Sequence, residues 1–481
     1  MSLRLLLNLL GKLLLLEAGL LCLPLGISLL EGGPDAPAFV YTILILLAFG
    51  LPALMQRPAS REVRAKEGLV AVSLAWVLLG AFGALPFLFS GVTPSYVDAL
   101  FETVSGFTTT GASVLDAVEG LPRGILFWRS FTHWVGGMGV LILTLAVLPR
   151  LSGRGATLAR AESPGPTFEK IAPRMRDTAR LMYAVYTALS LLQLALLMLA
   201  GLPLFDAAIH TLGTAGTGGF SSRNQSVGAY NNPWAEGIIT VFMLLFGMNF
   251  IVYFRLLRGE GFKAFKSEEV RAYWLLALCA MLLISWELLP RYGGFFNSFR
   301  HASFQVSSIM STTGYSTADF ALWPAFSHIL LLGLMFVGAC AGSTAGGIKV
   351  SRVLILGKAA SREIGLAAAP RKLRLLRLDG RVQSEETVRG ALVFFFLYMS
   401  FMALGTLAAA ADGHDFVTSF SAAAASLSNI GPGLGLVGPS GNFNVFSPWV
   451  KVLLSLLMLA GRLEFIPLLT LFHRELWSKG H

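Results

Sequence analysis

The sequence predicts an all-α integral membrane protein, built as four helix–loop–helix repeats around one axis after two additional N-terminal transmembrane helices. Three observations predict this. Of its 481 residues, 55% are hydrophobic and only 13% are charged. A soluble domain carries about 25% charged residues, so this chain lacks the polar surface that water requires. Apolar runs of roughly twenty residues recur along it, the length needed to cross about 30 Å of hydrocarbon. Between alternate pairs of runs stand weakly apolar segments rich in Ser, Thr and Gly, and these resemble one another.

The spans are read near residues 10–30, 39–56, 68–90, 124–148, 181–201, 234–254, 272–290, 325–357, 390–411 and 448–472. None shows the ten-residue alternation of a membrane β-barrel. The first follows Arg4 and Lys12 and could pass for a cleaved signal. It lacks an A-x-A site and a second span follows, so it is read as a helix of the protein. Cys22, Cys279 and Cys340 lie in or beside apolar runs without metal-ligand spacing and read as packing residues.

The net charge of +10 could suggest nucleic acid, but its placement argues against that partner. Most Lys and Arg fall in four loops, Arg57–Lys66, Arg150–Arg180, Arg255–Arg271 and Lys349–Arg389, with others at the two ends. This bias puts the four loops and both termini on the cytoplasmic side of the membrane. The long basic loops 150–180 and 362–389 are expected to meet anionic lipid headgroups.

The first intervening segment reads Asp98-Ala-Leu-Phe-Glu-Thr-Val-Ser-Gly-Phe-Thr-Thr-Thr-Gly111-Ala. The second reads Asp206-Ala-Ala-Ile-His-Thr-Leu-Gly-Thr-Ala-Gly-Thr-Gly-Gly219-Phe. The third ends Ser311-Thr-Thr-Gly314-Tyr and the fourth Ser426-Leu-Ser-Asn-Ile-Gly431-Pro-Gly. The four glycines recur roughly every hundred residues, each between two spans. Repeats with an even number of crossings keep one orientation and can surround one axis. The division expected is 1–60 for the two extra helices, then repeats at 61–160, 161–265, 266–365 and 366–481.

Each intervening segment begins as a half-length helix. Asp98 and Asp206 stand where an N-cap carboxylate would satisfy free amides. The negative end of each helix dipole then points inward at a Thr/Gly stretch. Glycine lets consecutive carbonyls turn toward one axis, and four rings of carbonyls replace the hydration shell of a cation. No carboxylate ring stands at the glycines, so a dehydrated monovalent cation fits better than calcium or magnesium. The axis is thus expected to be a pore and the four segments pore loops.

With these motifs the chain resembles the potassium-transporting subunits of the Trk/Ktr/HKT superfamily, over roughly residues 65 to 475. Ala341-Gly-Ser-Thr-Ala-Gly-Gly-Ile-Lys349 and Gly461-Arg-Leu-Glu-Phe465 add to the likeness. The two extra N-terminal spans favour the TrkH type over the shorter KtrB type. The resemblance implies potassium uptake across a bacterial inner membrane. It implies a selectivity filter at Thr110 and Gly111, Gly218 and Gly219, Thr313 and Gly314, and Ile430 and Gly431. In the resembling family, glycine at position 111 goes with potassium preference, whereas some plant relatives with Ser there admit sodium. It further implies a homodimer, seated on a cytoplasmic TrkA-type nucleotide-binding regulatory subunit. No nucleotide site and no covalently bound cofactor is read in the chain itself, and K+ is its transported ion. A sodium-permeable or sodium- or proton-coupled potassium symporter of the same architecture is the alternative.

Two features lie below the loops. A continuous helix over 325–357 would run about 50 Å, too long for the bilayer. It holds Gly338, Gly342, Gly346 and Gly347 with Ser343 and Thr344, so a break is expected there, with the Gly-rich piece in the pore. The resemblance implies that this stretch gates conduction. Gly342 and Gly347 have Walker spacing, but Ile348 stands where the lysine must be. Arg462 lies inside the last apolar run, where a charge must be paired or wet, and is expected to face the pore or the Gly-rich loop. Glu464 is two residues away and faces another side of a helix. Arg129, His133 and Asn249 are read as satisfied interhelical hydrogen-bonding residues. The histidines form no H-E-x-x-H motif, and no acid, base and nucleophile cluster, so an enzyme is not expected.

Overall fold

The computed structural model describes residues 3–56, 65–139, 175–372 and 374–473. Helices α1 (Leu3–Glu31) and α2 (Ala36–Met55) form an N-terminal antiparallel pair. The remainder is α3 (Ala65–Gly83), α4 (Tyr96–Phe107) and α5 (Arg123–Gly137), then α6 (Met175–Leu199), α7 (Leu204–Gly216), α8 (Pro233–Phe246) and α9 (Phe250–Leu257). There follow α10 (Glu268–Glu287), α11 (Phe295–Met310), α12 (Ala325–Val337) and α13 (Val350–Ala368). The described residues end with α14 (Glu385–Ala411), α15 (Phe416–Ser428), α16 (Pro448–Arg462) and α17 (Ile466–Thr470). One short hairpin, β1 (Arg377–Leu378) with β2 (Arg381–Val382), lies between α13 and α14.

Among the described residues, six helices are long and apolar enough to cross a membrane by themselves: α1, α2, α3 with the turn that follows it, α6, α10 and α14. Their lipid-facing sides are apolar and open, as Leu275, Leu282, Phe396 and Leu404 illustrate. Apolar side chains all round a helix are what hydrocarbon selects.

The helices after each loop behave differently. The sequence leads one to expect continuous spans over 234–254 and 448–472, and both are broken. Helix α8 stops at Phe246, and α9 leaves it at an angle of 91°. Helix α16 stops at Arg462, and Glu464 and Phe465 take left-handed φ of 57° and 65°. The third break, after Val337, is the one expected from the glycines. Helix α5 likewise ends at Gly137, and the rest of the span read over 124–148 lies outside the described residues. So do most of the basic loops at 57–66 and 150–180 and the end of the chain from 474. The helices α5, α8, α12 and α16 are 13 to 15 residues long, roughly 20–22 Å, and as α-helix each falls short of the roughly 30 Å hydrocarbon core. Non-helical backbone at such depth persists where protein, not lipid, surrounds it.

Candidate functional site: a ring of four loops

The four half-length helices are α4, α7, α11 and α15, and they are built to aim their C-termini inward. Two starts differ from the expectation. Asp98 is not the N-cap of α4; Ser95 is, accepting from the Asp98 amide at 3.2 Å while its hydroxyl donates to Asp98 Oδ2 at 2.6 Å. Pro203 precedes α7, and Asp206 stands inside its first turn, accepting from Ser222 Oγ at 2.6 Å. A carboxylate in the first turn complements the dipole as a cap would, so the electrostatic role survives the change of position. Asp415 does cap α15, accepting the Val417 and Thr418 amides, and the Thr418 bonds hold its carboxyl below the usual range.

Each half-helix ends the same way. Thr109, Thr217, Thr312 and Asn429 have φ of 56°, 56°, 59° and 56°. The next amide, on Thr110, Gly218, Thr313 or Ile430, then donates back to the carbonyl of Ser105, Gly213, Ser308 or Ala425 at 2.8, 2.8, 2.8 and 2.9 Å. This left-handed closure consumes a terminal carbonyl and turns the chain out of the helix. Non-glycine residues adopt such angles at a cost, so four coincident instances reflect one geometry imposed by the surrounding fold. Gly111, Gly219 and Gly314 follow at φ of 78°, 81° and 84°; Gly431 does not, and Pro432 follows it.

The loops close a ring in chain order. A Cβ on Gly111 would overlap the carbonyl of Gly218, and one on Gly219 would overlap that of Thr313. One on Gly314 would lie 2.9 Å from the Gly431 amide, and one on Gly431 would lie 2.8 Å from the Gly111 carbonyl. All four glycines line a single cavity of about 200 Å³ that opens toward Asp116, Arg223 and Asn442. All eight residues expected at the loops are thus brought together. The hydroxyls of Thr110 and Thr313 are turned to Thr108 and Ser311, at 2.8 and 2.7 Å, and Asn429 Nδ2 donates to Thr110 Oγ1 at 3.1 Å.

Below the ring, Gly338–Lys349 folds back on itself. The amides of Ile348, Lys349 and Val350 donate to the carbonyls of Phe336, Val337 and Ala339. Gly346 donates to Thr312 Oγ1 at 2.7 Å, at the end of the third half-helix. Ser343 Oγ bonds the Cys340 carbonyl at 2.6 Å, and Thr344 Oγ1 bonds that of Phe246 at 3.3 Å. Gly342 accepts from the Phe250 amide, at the bend between α8 and α9. Gly338 and Gly347 have positive φ and lie against each other, where a Cβ on either would meet the other's strand.

Arg462 joins this loop to the first repeat. Its Nη1 donates to the Thr344 carbonyl at 2.7 Å, and its Nη2 to the carbonyls of Gly136 and Gly137 at 2.5 and 2.6 Å. The guanidinium is thus charge-matched by the C-terminal carbonyls of α5, the negative end of that helix. Glu464, set aside as its partner, forms an ion pair with Arg352.

Several contributors escape the sequence reading. Glu102 of α4 accepts from Arg129 Nε at 2.5 Å, from Ser113 Oγ and from the Val114 amide. It thereby fixes the chain leaving the first loop, and Arg129 also covers the Phe220 ring at 3.6 Å. His133 Nδ1 bonds the Gly106 carbonyl at 2.8 Å, and its Nε2 accepts from the Phe220 amide at 3.3 Å. Arg129 and His133 thus make the interhelical bonds expected of them. Asn249 does not: its Oδ1 caps α9 by accepting the Ile251 amide, a local bond required by the 91° bend. The available signal was a glycine near each break, at Gly136, Gly137, Gly247, Gly338 and Gly461.

The geometry defines a predominantly helical integral membrane protein in which four half-helices meet in one ring. Residues 35–289 and 295–479 match the TrkH family, described as cation transport proteins. The chain belongs to that family. It is 37% identical over 490 residues to the Trk system potassium uptake protein TrkH of Salmonella typhimurium, with both chains covered in full. It is 35% identical to the Trk system potassium uptake protein TrkG of Escherichia coli strain K12, covering 94% of each. It is also similar to the crystal structure of the potassium transporter TrkH from Vibrio parahaemolyticus, with TM-score 0.89 and 34% identity, covering 99% of this chain and 100% of that one.

Proposed function

We propose that this chain takes up potassium across a bacterial inner membrane through a filter made by the four loops. Thr110 and Gly111, Gly218 and Gly219, Thr313 and Gly314, and Ile430 and Gly431 supply its carbonyl rings, and K+ is the transported ion. The observation that carries the reading is the closed ring of four like loop ends around one cavity. Half-helices aim their negative ends at it, and a dehydrated cation is stabilised by such dipoles and carbonyls. The names of the similar proteins, which take up potassium, point the same way.

In this reading the Gly338–Gly347 loop, with Gly342, Ser343, Thr344 and Gly346, is the gate, and Arg462 is its latch. The chain divides into two leading helices and four repeats with boundaries near 60, 160, 265 and 365. Both termini face the cytoplasm, where a TrkA-type nucleotide-binding subunit seats a homodimer. The chain has no enzymatic role.

The test is cation flux into liposomes containing the purified protein, comparing potassium, rubidium, sodium and lithium, with Gly111→Ser alongside. A side chain at 111 overlaps the Gly218 carbonyl and meets a positive φ, so it must displace a ring carbonyl. Potassium and rubidium should pass well ahead of sodium, and the variant should lose that preference. Equal passage of all four ions through the unmodified protein would remove the filter assignment.

A further inference from the structure

A second, larger cavity of about 660 Å³ lies beside the Gly-rich loop, on the opposite side from the four-glycine ring. Its walls are α9, the turn Gly261–Lys266, the start of α10, α13 and the hairpin β1–β2, and Ala341 and Gly342 form part of its floor. Its volume is that of a site for a small organic ligand.

The charge of the lining is not balanced from within. Five cations line it: Arg255, Lys263, Lys266, Arg271 and Arg381, the last of which is engaged elsewhere in the fold. The three acids, Glu268, Glu269 and Asp379, are all committed to the fold. Glu268 pairs with Lys358 of α13 and accepts the Asp379 amide at 3.0 Å. Asp379 in return accepts the Glu268 amide at 2.5 Å and Ser267 Oγ at 3.0 Å, so it covers the N-terminus of α10. Glu269 is buried and accepts the amides of Ala341 at 2.6 Å and Ser351 at 3.2 Å. Arg255 stands 3.9 Å from Glu260, an exposed pair that neutralises little. Positive charge is in surplus around a concave space, where low-dielectric walls concentrate its field. Met182, Val252 and Ile355 give the same space an apolar side.

We propose that this cavity binds a phosphate-bearing anion. The chemistry is shared by the headgroup of an anionic phospholipid and by a soluble phosphate compound. Arginines and lysines from separate elements meet a multiply charged, many-oxygen group better than they meet one carboxylate. The consequence of filling it follows from the floor. Glu268 holds the hairpin and its neighbour Glu269 holds the Gly-rich loop, so a ligand that draws in the hairpin moves the residue next to the loop's anchor.

The experiment uses the full chain in nanodiscs. Native mass spectrometry counts lipids retained from phosphatidylcholine discs doped with phosphatidylglycerol. Calorimetry with pyrophosphate in pure phosphatidylcholine discs reads the soluble alternative. The comparison variant combines Lys263→Gln, Lys266→Gln and Arg271→Gln, whose side chains are exposed, with Arg291→Gln as a control elsewhere. Retained phosphatidylglycerol assigns a headgroup site, and saturable pyrophosphate binding assigns a soluble ligand. In either case the triple variant should lose at least about ten-fold in affinity, and Arg291→Gln should not. If neither probe binds, as expected were the cavity filled by an acidic protein surface, or if the triple variant binds as well as the unmodified protein, the proposal fails. Because binding is read without ion flux, this outcome is independent of whether the chain conducts potassium.

Discussion

His133 occupies the space that a side chain at Gly218 would need: a Cβ there would overlap the imidazole atoms Cγ and Nδ1. The second loop is Gly-rich for this reason. The other three loops carry Thr110, Thr313 and Ile430 at the equivalent place. Replacing Gly218 with Thr, to match the first and third loops, should lower stability by about 1–3 kcal/mol through overpacking. Thermal unfolding in detergent reads this, and in a His133→Ala background the same substitution should cost less. Equal costs in both backgrounds would mean that the ring is not the obstacle.

The Arg129–Glu102 pair is buried at both ends and bonded to the chain on either side. Arg129→Ala leaves the carboxylate of Glu102 without its cation and should destabilise by about 3–5 kcal/mol. Arg129→Gln with Glu102→Gln removes both charges and should recover part of that loss. A double-mutant cycle on the unfolding midpoint measures the coupling, and additive effects would contradict it.

Arg462→Ala withdraws donors from Thr344, Gly136 and Gly137 together, releasing the Gly-rich loop from the first repeat. Potassium flux should rise, about ten-fold for each 1.4 kcal/mol taken off the barrier. Arg462→Lys cannot reach both sides with one ammonium and should give an intermediate rate. Unchanged flux in well-folded Arg462→Ala protein would assign the arginine to structure alone.

Asn249 caps α9 at the 91° bend that separates it from α8. Asn249→Ala should cost about 1 kcal/mol, and Asn249→Asp should restore most of it. Since Gly342 accepts from Phe250 in the same turn, a change in the rate of potassium flux should accompany the loss. A stability change with no change in flux would separate the bend from the loop.

The membrane class, the four loops and the ring glycines were legible because each rests on a local signal: apolar length, basic loops, or a repeated Thr/Gly string. The break after Val337 was legible because a helix through it would be too long. The breaks at Phe246 and Arg462 were not, although Gly247 and Gly461 stand beside them, because hydropathy cannot tell a straight helix from a bent one. Asp98 and Asp206 were displaced by one turn's worth of detail: Ser95 and Pro203 supply the actual starts. His133, Glu102 and Asn429 depend on partners distant in the chain, and a single sequence does not record those pairings.

The ring is assembled from one polypeptide. In a ring of identical subunits every substitution enters four times, and one that is harmless alone can be ruinous in quadruplicate. Here a change alters one quadrant and leaves three as internal references. The Gly218 quadrant abuts an imidazole, and the Gly431 quadrant holds a glycine without positive φ, followed by Pro432. The contribution of each carbonyl to the proposed ion choice can therefore be titrated singly, in pairs and in threes, without tandem linkage of genes.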